Sequence, residues 1–82
     1  LWRRELVAAD VNWMAAAALE APARFAVKIR YRNAAAPATA EPLDDGRVRV
    51  VFDEPQRAIT PGQAAVAYDD GGRIAFAGTI ER

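Results

Sequence analysis

The chain has 82 residues, 52% of them apolar and 27% charged, with 11 basic residues against 11 acidic ones. That length predicts one domain with one small core, and the zero net charge excludes a generally basic nucleic-acid coat while leaving a local patch open. Cysteine and histidine are both absent, which excludes disulfide staples, the usual zinc sites and catalysis by a Ser-His or Cys-His pair.

The opening LWRREL has neither an initiator Met nor the apolar stretch of a signal peptide, and reads as the start of a piece cut from a longer cytoplasmic chain. ELVAADVNW follows as a strand. Met14 to Ala21, MAAAALEA, is the one helix-like stretch; it is too short to hold alone and Pro22 ends it, so a loop or a single helical turn is expected. The clearest strand begins at Arg24 with RFAVKIRYR. Phe25, Val27, Ile29 and Tyr31 fall on one face, and Arg24, Lys28, Arg30 and Arg32 on the other, because strand side chains alternate. Asn33 to Ala38 reads as a loop. PATAEPL is a short proline-bounded strand, expected at an edge.

RVRVVF puts Val48, Val50 and Phe52 inward and Arg49 outward. Pro61-Gly62 matches a type II turn, with proline second and glycine third, where φ must be positive. QAAVAY sets Ala64, Val66 and Tyr68 on one side. RIAFAGTI sets Ile74, Phe76, Gly78 and Ile80 together. LDDGR and YDDGG are acidic-glycine hairpin signals. Strands and turns recurring at about 8–12 residues suggest a small barrel or sandwich. No apolar run approaches the ~18 residues of a membrane span.

Three groups of residues invite a chemical reading. The doublets Asp44-Asp45, Asp53-Glu54 and Asp69-Asp70 fit turn chemistry better than a metal site, which needs oxygens converging on one point. Lys28, Arg30 and Arg32 share one strand face, with Arg49 on a second strand. That stripe is either the solvated face of a half-buried sheet or a contact for RNA phosphate. Ten of the eleven basic residues are Arg, which suits forked contacts to phosphate, though a compositional bias gives the same result. Gln63 is either a polar strand start or an amide held out by a rigid turn, with Gln56 and Arg57 on the same rim.

VNW, KIRYR, RVRVVFDEPQRAITPGQAAVAYD and the closing AGTI, in that order, resemble the C-terminal β-barrel domain of the tRNA-specific 2-thiouridylases. The likeness runs from about Val11 to Ile80. It implies an all-β, closed antiparallel barrel of about six strands filling residues 1–82, similar to translation-factor barrels. The family's full enzymes sulfurate the wobble uridine of tRNA. An N-terminal ATP-pyrophosphatase domain adenylates the base and two cysteines there carry persulfide sulfur; a central domain follows, then the barrel. The resemblance implies that the barrel needs no cofactor or metal, catalyses nothing alone, and contacts tRNA near the anticodon through Arg30, Tyr31 and Gln63. Lys28, Arg32 and Arg49 would supply supporting charge. The implied partners are tRNA, the catalytic and central domains of the same chain, and a sulfur-relay donor protein. Family members often carry Gln where Asn33 stands, a cysteine where Ala38 stands, and a glycine-rich run at FAGT. The alternative is a structural barrel of translation-factor type that touches no RNA.

Overall fold

The structure is a computed structural model and describes residues 2–15, 17–29 and 34–81. Six strands form one sheet: β1 (Trp2–Trp13), β2 (Ala23–Lys28), β3 (Ala36–Pro42), β4 (Val48–Arg57), β5 (Ala64–Tyr68) and β6 (Ile74–Ile80). They close antiparallel in the order β1-β4-β3-β2-β5-β6, with β6 returning to β1. The expected all-β six-stranded barrel is what forms. Closure leaves every strand with a neighbour on both sides, so no open edge remains.

β1 is the strand that closes the barrel. Its first half pairs β4 and its second half pairs β6, and Ala8 faces Val48 and Ile80 at the changeover. A register shift between Ala9 and Asn12 bends the strand there, with Asp10 at φ 51. Bulges of this kind increase local twist and let a sheet curl shut. Gly78 on β6 lies against the bend: a Cβ there would stand 3.0 Å from the Ala9 carbonyl oxygen and 3.2 Å from the Ala8 Cβ.

Phe52, Phe76, Leu6, Ile80, Val27, Val48 and Val50 fill the interior. The inward Val48, Val50 and Phe52 follow the alternation read from RVRVVF. Alanines 8, 38, 40, 65, 67 and 75 are fully buried opposite them. A six-stranded barrel has little internal volume, so two phenylalanines leave room only for small neighbours. The rings of Trp13 and Phe25 pack on Phe76, with centroids 4.6 Å and 5.4 Å away.

Two expectations from periodicity are corrected. β3 is not an edge strand but lies between β2 and β4. Its prolines fit because its neighbours are staggered. Pro37 pairs Ala26 of β2 before the β4 register begins, and Pro42 pairs Val48 of β4 after the β2 register ends. On β5, Ala64, Val66 and Tyr68 share one side as alternation expects, and it is the outer one, with Ala65 and Ala67 buried; the correction falls on β6. The pairing with β6 shifts between Ala67 and Tyr68, which turns Ile74 outward at 39% exposure. In the Met14–Ala21 stretch, the described residues form no helix and run as a loop that packs Leu19 against the core.

The expected hairpins are present. At LDDGR, Leu43 N donates to Arg47 O and Gly46 has φ 86; at YDDGG, Asp69 N donates to Arg73 O and Gly72 has φ 78.

Candidate nucleic-acid interface

Strand direction decides which connections share a barrel end. β2 and β4 run the same way, and β5 runs against both. The β2–β3 connection, the β4–β5 connection and the start of β5 therefore open at one end. β4 and β5 stand three places apart in the strand order, so the chain between them crosses that end. Ile59 drops from the crossing into the core with 9% exposure and anchors it. Its neighbour Ala58 takes φ 58, and its carbonyl accepts from Thr60 Oγ1 at 3.0 Å.

The crossing ends in the type II turn expected at Pro61-Gly62. Gly62 has φ 91, and Gln63 N donates to Thr60 O at 3.3 Å. The turn is tied to the last strand as well. Gly62 N donates to Ile80 O at 2.7 Å, and Ile80 N donates to Gln63 O at 2.8 Å. Gln63 is thus fixed by its backbone and exposed at its side chain. Among the described residues its carboxamide has no hydrogen-bond partner, so donor and acceptor both face solvent.

Lys28 sits on β2 opposite Val66, three residues along β5 from Gln63. That is about 10 Å of strand, so Lys28 and Gln63 belong to the same end. Arg30, Tyr31 and Arg32 lie outside the described residues; in sequence they follow directly on buried Ile29. Arg49 is elsewhere. It projects from β4, on the wall across from β5. Its Nη1 donates to Glu41 Oε1 at 2.7 Å and its Nε is 3.7 Å from Glu5. The structure brings Lys28 and Gln63 to one end and keeps Arg49 apart, its charge balanced within the wall.

Each acidic doublet supplies a carboxylate to local structure. Asp45 accepts from the Arg47 backbone N–H and Nε, and the backbone bond above all holds its carboxyl below the usual aspartate range. Asp69 accepts from the N–H groups of Gly71 and Arg73 and is lowered chiefly by the Arg73 backbone bond. Asp53 takes both Arg24 nitrogens, at 2.7 and 2.6 Å, and that hydrogen bonding lowers it. Arg24 also donates to Thr39 Oγ1, so one guanidinium links β2, β3 and β4. Periodicity gave no sign of this clamp, which depends on strand order. The doublets do not converge: among the described residues no three Asp or Glu side chains gather as a cation would require.

The plug at Ile59 was equally invisible, because FDEPQRAIT reads as strand and turn until the crossing is known. At the same end Trp2 stands 67% exposed and pairs across the sheet with Arg57. No described helix is long and apolar enough to cross a membrane.

Comparison with known proteins agrees with this architecture. The profile of the aminomethyltransferase beta-barrel domain matches residues 3–80. The tRNA-specific 2-thiouridylase MnmA of Nostoc sp. is 56% identical over 72 residues, 88% of this chain and 20% of that protein. Its counterpart in Trichormus variabilis is 50% identical over 80 residues, 98% of this chain and 22% of that protein. The one in Symbiobacterium thermophilum is 51% identical over 81 residues, 99% of this chain and 20% of that protein. The chain thus spans about one fifth of the length of these curated relatives. It belongs to the aminomethyltransferase beta-barrel domain family, in a form similar to the C-terminal barrel of tRNA-specific 2-thiouridylases.

Proposed function

We propose that this barrel is the non-catalytic, tRNA-contacting domain of an ATP-dependent enzyme that 2-thiolates the wobble uridine of tRNA. The observation that supports this most is the presentation of Gln63: a side-chain amide on a turn fixed by three backbone hydrogen bonds, at the end where β2 finishes with Lys28. Gln63 hydrogen-bonds RNA, Arg30 donates to phosphate or a base edge, and Tyr31 stacks or donates its hydroxyl. Lys28 and Arg32 add positive charge. Arg49, held by Glu41 and Glu5, contributes least of the supporting set. Adenylation by ATP and transfer of persulfide sulfur from a relay protein belong to the N-terminal catalytic domain of the same chain, in the cytoplasm. The anticodon region is the part of tRNA that this end approaches.

Binding of tRNA by the full-length enzyme tests the reading. Gln63→Ala is expected to weaken affinity about 5- to 10-fold, the range of a lost hydrogen bond between neutral groups. In the labelled barrel, an anticodon stem-loop should shift the amide resonances of Lys28 and Gln63. Shifts confined to Met14 and Ile74 at the opposite end would overturn the assignment of this end, and no shift at all would favour the structural-barrel alternative.

A further inference from the structure

The cations of the barrel divide into those used internally and those left to solvent. Arg4 donates to the carbonyls of Phe52 and Asp53; Arg24, Arg47, Arg49 and Arg73 each meet a carboxylate. Among the described residues, Arg3, Lys28 and Arg57 have no ion pair, and the two arginines lie where β1 starts and β4 ends. Arg57 is the last residue of β4, immediately before the crossing whose far end is Gln63. Six residues separate the two, so they lie within about 20 Å of each other even if the segment were fully extended.

Arg57 faces Trp2 directly across the β1–β4 pair. Side chains of a cross-strand pair stand on the same face. An indole 67% exposed thus lies beside a guanidinium with no ion pair among the described residues. The competing charges on this ribbon are Glu5 and Glu54; Asp53 is matched by Arg24. With Arg3, Arg4 and Arg57 against Glu5 and Glu54 the balance stays positive. A flat aromatic next to an Arg provides a stacking surface for a base and a donor fork for its phosphate.

We propose that Trp2 and Arg57 form a second RNA contact at the Gln63 end, stacking one unpaired nucleotide on the indole and holding its phosphate with the guanidinium. The inference rests on the tRNA-contacting reading above and extends it to the other side of the crossing.

The experiment is a salt titration of tRNA affinity in the full-length enzyme, with Gln63→Ala measured alongside. Arg57→Ala is expected to weaken binding about 3- to 10-fold and to make the slope of log K against log salt shallower by about one, with Arg57→Lys restoring the slope. Trp2→Ala is expected to weaken binding about 5-fold or more with the slope unchanged, and Trp2→Phe to keep most of it. If Gln63→Ala weakens binding while the Arg57 and Trp2 variants match wild type, the second contact is overturned and the tRNA reading stands. If all three are neutral, the reading falls with it. A Trp2→Ala variant that unfolds at lower urea yet binds tRNA normally makes the indole a packing group and also overturns the inference.

Discussion

Gly62→Ala separates the mount from the wall. Gly62 adopts φ 91, and a Cβ added there meets nothing within 4 Å. The substitution therefore has no steric clash to relieve, and its whole effect is the strain of an L-residue at positive φ. That strain costs about 1–2 kcal/mol. For a domain of this size each kcal/mol lowers Tm by roughly 4–8 °C. Gly46 and Gly72 provide matched controls, with φ 86 and 78 and equally open surroundings. Thermal unfolding of the barrel should show similar losses for all three Gly→Ala variants. Binding of tRNA by the full-length enzyme should distinguish them. Only Gly62 lies in the turn whose hydrogen bonds to Thr60 and Ile80 fix Gln63, so only Gly62→Ala should weaken affinity, by several-fold. Equal tRNA affinity in all three variants, with the expected Tm losses, would refute the link between turn geometry and recognition. A Gly62→Ala variant as stable as wild type would refute the strain argument itself.

Gly78→Ala should destabilise by about 1–3 kcal/mol through crowding, since its Cβ would press on the Ala9 carbonyl at 3.0 Å; an unchanged urea midpoint would show that β1 yields freely at its bend. Phe52→Ala should remove about 3–5 kcal/mol, a large part of the stability of an 82-residue domain, and an apolar cavity should appear as binding of a small hydrophobic probe. Acid should weaken the fold in a defined window. Asp45, Asp53 and Asp69 have folded pKa values below their unfolded ones, so the folded state binds fewer protons. Their contribution is complete above the unfolded value of about 3.9 and fades as pH falls through the lower folded values. The urea midpoint should stay level from about pH 7 to 5 and drop below about pH 4, and Asp53→Asn should lower it at neutral pH while reducing the acid drop. A level midpoint through the acid range would contradict the assignment.

Much of the fold was legible because its signals are local. Alternation located β2, β4 and β6, and acid-glycine pairs located both hairpins. Pro61-Gly62 gave its turn type directly, since few residues tolerate that φ. What failed depended on neighbours. Two prolines marked β3 as an edge, but stagger lets each proline sit where one side is unpaired. Alternation grouped Val66 and Tyr68 on one side of β5 but left open which side is inner; Phe52 and Phe76 already fill the barrel, so only Ala65 and Ala67 fit inside. For the interface, Gln63 was legible as a residue presented by a turn. Its company was not, because the crossing from β4 to β5 is a property of strand order. Arg49 likewise looked like a member of the basic stripe, while Glu41, its cross-strand partner over the hairpin, and Glu5, remote in sequence, occupy it.

Barrel closure also sets a kinetic constraint. The seam joins the first strand to the last, with Ala8 facing Ile80. A chain emerging during synthesis can form the β3–β4 hairpin early, but it cannot shut the cylinder until Ile80 is free to reach β1. Until then the far half of β1 and the side of β6 that faces it stay unpaired. Such high-separation contacts place folding in the millisecond-to-second range typical of β-barrels. Ile80 serves two ladders: its bonds to Gly62 and Gln63 continue the β5–β6 hairpin, and its pairing with Ala8 closes the seam. The Gln63 turn can therefore form within the β5–β6 hairpin, and closure at Ala8 then locks it to the first strand.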